Sequence, residues 1–186
     1  MKKYFYLILS LFFLIVQCKK TEQNLPIDYE LPPATTQGTD KIGCLVNGKA
    51  WIPKPFLCVA CTNFLDIKIS KQRDEFKLYT TNYNFEKKID QSISIEVKSP
   101  RLGNNIIMPN SLNFYDANIY RDLNILAGFY DLDTTQPRNL ILTRIDSTNR
   151  IISGTFEFVA IDKKLKDTVR ITHGRFDGGK YTTAFY

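Results

Sequence analysis

The feature that most constrains the fold is an alternation of apolar and polar residues with a period of two. Residues 93–97 alternate isoleucine, isoleucine and valine with serine and glutamate, which predicts a strand with one buried face. Residues 151–161 repeat the alternation, with Phe156 and Phe158 on the face predicted to be buried. Because no stretch shows a sustained helical stripe with caps, the sequence predicts an all-β fold: a single antiparallel β-sandwich or barrel domain.

Turn signals separate the predicted strands. Asn-Gly at 47–48 lies between two short apolar runs, and both residues readily adopt the positive φ angles of a two-residue hairpin turn. Residues 147–150 form a loop of ordinary hairpin length between two β-rich runs. The last strand is predicted at 168–172 and closes with Gly174. Further strands are predicted at 65–69, 76–80 and 125–130.

The first twenty residues have the anatomy of a secretory signal. Two lysines precede an apolar run at 4–16, which as a helix spans about 20 Å, less than the ~30 Å of a membrane core. Ile-Val-Gln-Cys at 15–18 resembles the site that signal peptidase II cuts before a cysteine. Residues 1–17 are therefore predicted to be a lipoprotein signal peptide, and Cys18 the lipidated N-terminus. Gln17 replaces the usual small residue, so ordinary secretion and an uncleaved anchor stay open as alternatives.

Residues 18–40 are predicted to be the lipidated N-terminus and a flexible tether, because prolines and polar residues dominate them. Residues 41–186 are predicted to be the β domain. A lipid on Cys18 makes the membrane a partner and places the protein in the cell envelope, at the periplasmic or surface face of the outer membrane. Loss of two lysines with the signal peptide leaves a net charge of +4 without a run of cations, so nucleic-acid binding is not expected.

Three cysteines follow the lipidation site: Cys44, Cys58 and Cys61. An oxidising compartment favours disulfides, and a turn would bring the two close cysteines within bonding distance. We predict one disulfide that includes Cys61 and expect Cys58 as its partner, with Cys44 as the alternative. The chain lacks the βαβ context of a redox pair and the second close ligand pair of a zinc site, so no metal or cofactor is predicted.

Candidate catalytic residues are few. His173 is the only histidine, and its place between a strand and a glycine favours a turn or surface residue over a catalytic base. No Gly-x-Ser-x-Gly motif accompanies it. Glu157 has no partner carboxylate at a fixed spacing, so glycosidase chemistry is not indicated. No catalytic residue is therefore predicted, and the protein is expected not to be an enzyme.

Two groups of stretches carry a resemblance to known proteins. The N-terminal group is LPPATTQG at 31–38 with GCLVNGKAW at 43–51, and the C-terminal group is TRID at 143–146, ISGTFEF at 152–158 and DTVRITHGRFD at 167–177. Together they resemble a family of uncharacterised lipoproteins from Bacteroidetes. The resemblance implies an envelope-anchored β domain of unknown function and brings no catalytic residues with it.

Two sets of residues are candidates for glycan chemistry. Three Asp-Ser/Thr tripeptides resemble the O-glycan acceptor sequence of exported Bacteroidetes proteins, which makes Thr134, Ser147 and Thr168 candidates for glycosylation. The alternative is that these tripeptides are ordinary turns.

Eight aromatic residues are candidates for a sugar-stacking surface, although most aromatic residues in β domains lie in the core or in cross-strand pairs. They are Tyr79, Tyr83, Phe85, Phe114, Tyr115, Tyr120, Phe129 and Tyr130.

The leading functional hypothesis is a non-enzymatic, membrane-tethered β domain that binds an unknown protein or glycan partner or has a structural part in the envelope. The alternative is a β-barrel carrier that closes around an apolar cavity for a small ligand. The two hypotheses differ in whether inward-facing side chains fill the middle of the domain. A hydrolase, the third possibility, would need a cleft in which His173 or Glu157 meets a second titratable group.

Overall fold

The structure, a computed structural model, describes residues 31–53, 64–84, 89–109, 113–117, 127–180 and 182–183. The predicted signal peptide, Cys18 and two further cysteines, Cys58 and Cys61, lie outside these residues. Within them, every regular element is a β-strand, which confirms the predicted all-β fold. The same residues include no helix that is long and apolar enough to cross a membrane.

Twelve β-strands form one curled sheet, a half-barrel. In chain order they are β1 (Lys41–Val46), β2 (Lys49–Trp51), β3 (Leu65–Ser70), β4 (Glu75–Asn84), β5 (Ile89–Lys98), β6 (Gly103–Ile106), β7 (Phe114–Ala117), β8 (Gly128–Leu132), β9 (Asn139–Asp146), β10 (Ile151–Asp162), β11 (Asp167–Gly178) and β12 (Thr182–Thr183). Their order across the sheet is β12-β3-β4-β5-β7-β8-β10-β11-β1-β2, and β9 and β6 branch from β10. The described pairs are antiparallel, except that β12 and β3 run parallel.

The sheet divides at β10. One edge of this strand pairs with β11, while its other edge pairs with β9 along residues 151–157 and with β8 at residues 160–161. The β8 arm continues through β7 to β5, and the β9 arm continues through β6. Just after β6, the amide of Met108 donates a 2.8 Å hydrogen bond to the carbonyl of Glu96 in β5. Both arms thus reach β5, which curls the sheet around its core.

Apolar side chains fill the concave side of the sheet. Phe76 of β4 and Phe176 of β11 lie with ring centroids 6.0 Å apart, so side chains of strands far apart in the sheet order meet in the middle. Phe156 and Phe158 are buried, whereas Glu157 between them is exposed. The predicted assignment of the two faces of β10 is therefore confirmed.

Strand β11 is longer than predicted. It continues to Gly178 rather than closing with Gly174. A β-bulge accommodates one extra residue of β11, so that the strand stays paired with β10 beyond this point. Phe156 of β10 faces Gly174, but Phe158 faces Ile171, so two residues of β11 stand opposite Glu157 alone. The predicted end of the strand at Gly174 is therefore wrong, and the strand passes through this position.

Residues 31–40 are part of the folded domain, which corrects the prediction that a flexible tether extends to residue 40. Leu31 is buried, and Pro32 packs so closely on Gly43 of β1 that a Cβ added there would lie 2.7 Å from its ring. Five hydrogen bonds join residues 35–39 to Asp177 in β11. Composition could not reveal these contacts, because they depend on a residue at the far end of the chain.

Candidate functional site

A groove of about 320 Å³ lies on the outer face of β9, β10 and β11. Three titratable residues line it, namely Glu157, His173 and Arg175, together with Asn139 of β9 and Ala34 of the N-terminal segment. We call it the His173 groove. It brings together the two residues, glutamate and histidine, that the sequence singled out as candidates for chemistry.

The β-bulge of β11 explains why His173 lies in this groove. His173 has a φ of 52°, in the left-handed region, and its side chain is exposed. Gly174 follows because a Cβ at that position would lie 2.5 Å from the ring of Phe156 and 2.6 Å from its carbonyl oxygen. The sequence predicted His173 at a turn or on the surface, and the structure places it on the surface within a strand.

The hydrogen bonds of the groove do not assemble a catalytic pair. In the part of the chain that the structure describes, the carboxylate of Glu157 has one hydrogen bond, at 3.3 Å from the side-chain amide of Asn139. The His173 imidazole has none there, although its backbone carbonyl accepts a 3.5 Å hydrogen bond from Nε of Arg175. Glu157 and His173 therefore share a groove without a hydrogen bond to each other, so a base and its orienting group are not paired.

A second candidate surface lies on the outer face of β4, β5, β7 and β8. Tyr79 is 47% exposed and Phe129 is 54% exposed, while Tyr115 is half-buried. Tyr115 and Phe129 lie opposite each other on β7 and β8, with ring centroids 5.3 Å apart. We call Tyr79, Tyr115 and Phe129 the aromatic face.

Of the remaining candidate aromatic residues, two lie in the core, one lies half-buried on the face of β4 that carries Tyr79, and two lie outside the described residues. Phe114 and Tyr130 are buried, with ring centroids 5.6 Å apart, and Tyr83 is half-buried. Phe85 and Tyr120 lie outside the described residues. The expectation that most of these rings lie in the core therefore holds for some of them, but four, Tyr83 included, are exposed or half-buried on the outer face.

Strand β5 provides small polar residues between the aromatic side chains. Ser94 lies opposite Tyr79, and Ser92 lies opposite Tyr115. Tyr79 and Tyr115 stand on the two strands that flank β5 and face serines two residues apart, so their backbones are about 12 Å apart, two strand spacings across the sheet and two residues along it. Asp90 lies on the same face as the serines, two residues before Ser92. Burial raises the pKa of Asp90, and the charge of the neighbouring Asp116 raises it further.

Asp177 forms a buried polar cluster that is structural. It is 2% exposed, and its carboxylate accepts hydrogen bonds from the hydroxyls of Ser153 and Thr35, each at 2.6 Å, and from three backbone amides of residues 37–39. Burial alone would raise the pKa of Asp177, but these hydrogen bonds hold it well below its ordinary value. Since its oxygens are already occupied, we assign it to holding the N-terminal segment and not to binding a ligand.

Of the three cysteines considered for the predicted disulfide, the structure describes only Cys44. Cys44 is a free thiol, fully buried in the core, and burial raises its pKa well above the ordinary value. Cys58 and Cys61 lie outside the described residues, so their pairing stays a prediction. Among the residues that are described, no group of three or more His, Cys, Asp or Glu side chains is placed to hold a metal ion.

The three candidate glycosylation sites are all exposed. Thr134 and Ser147 lie in turns, and Thr168 lies near the start of β11. Exposure is a requirement for modification by a transferase, but ordinary turn residues are exposed as well. Glycosylation at these positions therefore stays a prediction.

Comparisons of the chain with models of protein families, with curated proteins and with solved structures found no match. The resemblance to a lipoprotein family therefore stays a prediction.

Proposed function

We propose that the protein is a lipid-anchored component of the cell envelope, at the outer membrane, whose β domain binds a partner at its surface and catalyses no reaction. The observation that carries the binding role is the aromatic face. Tyr79 and Phe129 present about half of their surface to solvent on a regular sheet, beside Tyr115. Large aromatic side chains clustered on an exposed face are typical of interaction sites, because they give up much apolar surface to a partner.

The anchor is supported by the sequence around Cys18 and by where the folded domain begins. Twelve residues separate Cys18 from Leu31, the first described residue. Fully extended, this chain reaches about 40 Å at ~3.1 Å per residue. A lipid on Cys18 would therefore keep the domain within reach of partners that lie close to the membrane.

The His173 groove supports binding rather than hydrolysis. A general base must lie within hydrogen-bond reach of the group that it serves or of the group that orients it. Within the described residues, Glu157 hydrogen-bonds only to Asn139, and the His173 imidazole has no hydrogen bond. The groove thus offers polar contacts to a ligand, but its residues are not arranged as a catalytic pair.

The filled interior argues against the alternative of a carrier for a small apolar ligand. A carrier needs an apolar cavity inside its sheet, lined by side chains that leave the middle open. Here Phe76, Phe114 and Phe158 are fully buried, and Phe76 reaches the opposite side of the curled sheet at Phe176. Partners are therefore expected on the outer surface.

The anchoring half of the proposal is tested with Cys18→Ser in the full-length protein. We expect metabolic labelling with a fatty acid and membrane attachment to be lost, while the melting temperature of the domain is unchanged. The physical reason is that twelve residues separate Cys18 from Leu31, so the described core does not include the substituted residue. Label that persists in the serine variant would refute the lipidation site.

The binding half is tested by placing a photo-reactive amino acid at position 79 or 129 of the anchored protein in its native membrane. We expect a defined cross-linked product from both positions. The matched control is position 102, because Leu102 is 62% exposed but lies in the connection between β5 and β6, away from the aromatic face. Equal products from all three positions, or none, would contradict a specific binding role for this face.

A further inference from the structure

We propose that the aromatic face is a stacking platform for a neutral glycan chain. This proposal names the class of partner for the binding function proposed above and rests on that function. It is carried by three observations on β4, β5, β7 and β8: the placement of the exposed rings, the unpaired polar side chains between them, and the charge of the surface.

The exposed rings stand on both sides of β5, with small side chains between them. Tyr79 and Tyr115 flank β5 about 12 Å apart, and Phe129 extends the surface by one more strand. The side chains between them are Ser92 and Ser94, which are too small to rise to the level of the rings. The C–H groups on the face of a sugar ring carry partial positive charge and are attracted to the negative face of an aromatic ring. A glycan laid across β5 would therefore meet an aromatic ring on each side.

The polar side chains between the rings lack partners inside the protein. In the described residues, the side chains of Asp90, Ser92 and Ser94 form no hydrogen bond, and their polar atoms are accessible to water. A bound partner could replace this water with hydrogen bonds of its own. Sugar hydroxyls supply both donors and acceptors to such groups. This observation is independent of the exposure of the aromatic rings.

The carboxylates near the rings select against an anionic partner. Asp90 and Asp131, the second of which lies two residues beyond Phe129, form no hydrogen bond or ion pair through their side chains in the described part of the chain. By contrast, Asp66 opposite Tyr79 is paired with Lys68 at 2.7 Å, and the carboxylate of Asp116 accepts a 3.0 Å hydrogen bond from a neighbouring glutamine. Two free carboxylates repel phosphate or an acidic polysaccharide, but they accept hydrogen bonds from neutral sugars.

The test uses the full-length lipidated protein in fluorescent vesicles and beads that carry neutral polysaccharides, namely glucan, xylan or mannan. We expect retention on at least one of these supports and release by the matching free oligosaccharide. Tyr79→Ala and Tyr115→Ala should each lower the affinity for that oligosaccharide about tenfold, the effect of roughly one aromatic contact. Tyr79→Phe, which keeps the ring, and Leu102→Ala, away from the face, should bind like the wild type. Melting temperatures of all variants separate loss of binding from unfolding.

Three outcomes would overturn the proposal: no neutral polysaccharide retains the wild-type vesicles, the alanine variants are retained equally well, or only polylysine beads retain the protein and moderate salt releases it. The last outcome would mean that the free carboxylates attract a cationic partner instead. Cross-linking at position 79 distinguishes failure of the glycan proposal from failure of the binding function. A cross-linked product without glycan retention refutes the glycan and leaves the binding function, whereas the absence of both refutes both.

Discussion

The carboxylate of Asp177, in β11, accepts a 2.6 Å hydrogen bond from the hydroxyl of Thr35, a residue 142 positions earlier in the chain. The same carboxylate accepts a 2.6 Å hydrogen bond from Ser153 in β10. One side chain thus joins three stretches that the sequence singled out separately, at 31–38, 152–158 and 167–177. Their shared contact gives a physical reason for these stretches to occur together in one chain, because each supplies a partner that the others need.

We expect Asp177→Asn to lower the free energy of unfolding by about 1–3 kcal/mol. The asparagine amide would turn a donor toward the amides and hydroxyls that now donate to the carboxylate, and would leave buried donors without an acceptor. Urea denaturation measures the change, and hydrogen exchange at the amides of residues 37–39 should accelerate. Asp131→Asn, at an exposed carboxylate of β8, is the matched control and should change stability little. Unchanged exchange at 37–39 would show that Asp177 does not hold the segment.

The same cluster predicts how stability depends on pH. Hydrogen bonds from Ser153 and Thr35 outweigh burial and place the pKa of Asp177 in the folded protein below its ordinary value. A backbone hydrogen bond from Asn149 lowers the pKa of Asp146 in the same direction. Groups of this kind contribute stability that is fully present above their unfolded pKa of ~3.9 and is lost as pH falls through the folded pKa. We expect the melting temperature to fall steadily below about pH 4, with a shallower fall in Asp177→Asn. Equal slopes in the two proteins would exclude Asp177 as a contributor.

The sequence predicted the strands well where one face is buried along the whole strand. Strands β5 and β10 follow the alternation of apolar residues, and the Asn-Gly turn at 47–48 has the expected φ angles of 50° and 78°. Strands β6 and β7 were not predicted, because each has only four residues and is fixed by its pairing partners rather than by its own pattern. The bulge at His173 was missed for the same reason, since it exists only relative to the register of β10.

The candidate surfaces were only partly predictable. Tyr79, Phe114 and Phe129 are chemically similar in the sequence, and which of them faces outward depends on strand register, since a shift by one residue exchanges the two faces. The His173 groove joins residues of three strands, and neither Glu157 nor His173 carries a local signal of the other. The hydrogen bonds between Asp177 and residues 35–39 join the two ends of the domain, so no local sequence pattern predicts them.

Truncation of Phe156 tests the packing of the core beneath the His173 groove. Its ring is buried, lies over Gly174 and contacts Phe176 with centroids 6.5 Å apart. We expect Phe156→Ala to lower the free energy of unfolding by about 3–5 kcal/mol, because it removes buried surface and leaves a cavity. Thr155→Ala, on the outer face of the same strand, is the control and should cost much less. A melting temperature that Phe156→Ala leaves unchanged would contradict this packing of Phe156.

The last prediction concerns the thiols. In the native, non-reduced protein, Cys44 should resist a thiol reagent, because it is fully buried and burial raises its pKa. After denaturation without reductant, we expect a single label on Cys44, because Cys58 and Cys61 pair with each other in the oxidising envelope. Denaturation with reductant should then yield labels on all three, and peptide mass mapping identifies them. A disulfide-linked peptide that contains Cys44 would overturn the pairing. Three labels without reductant would show that no disulfide forms.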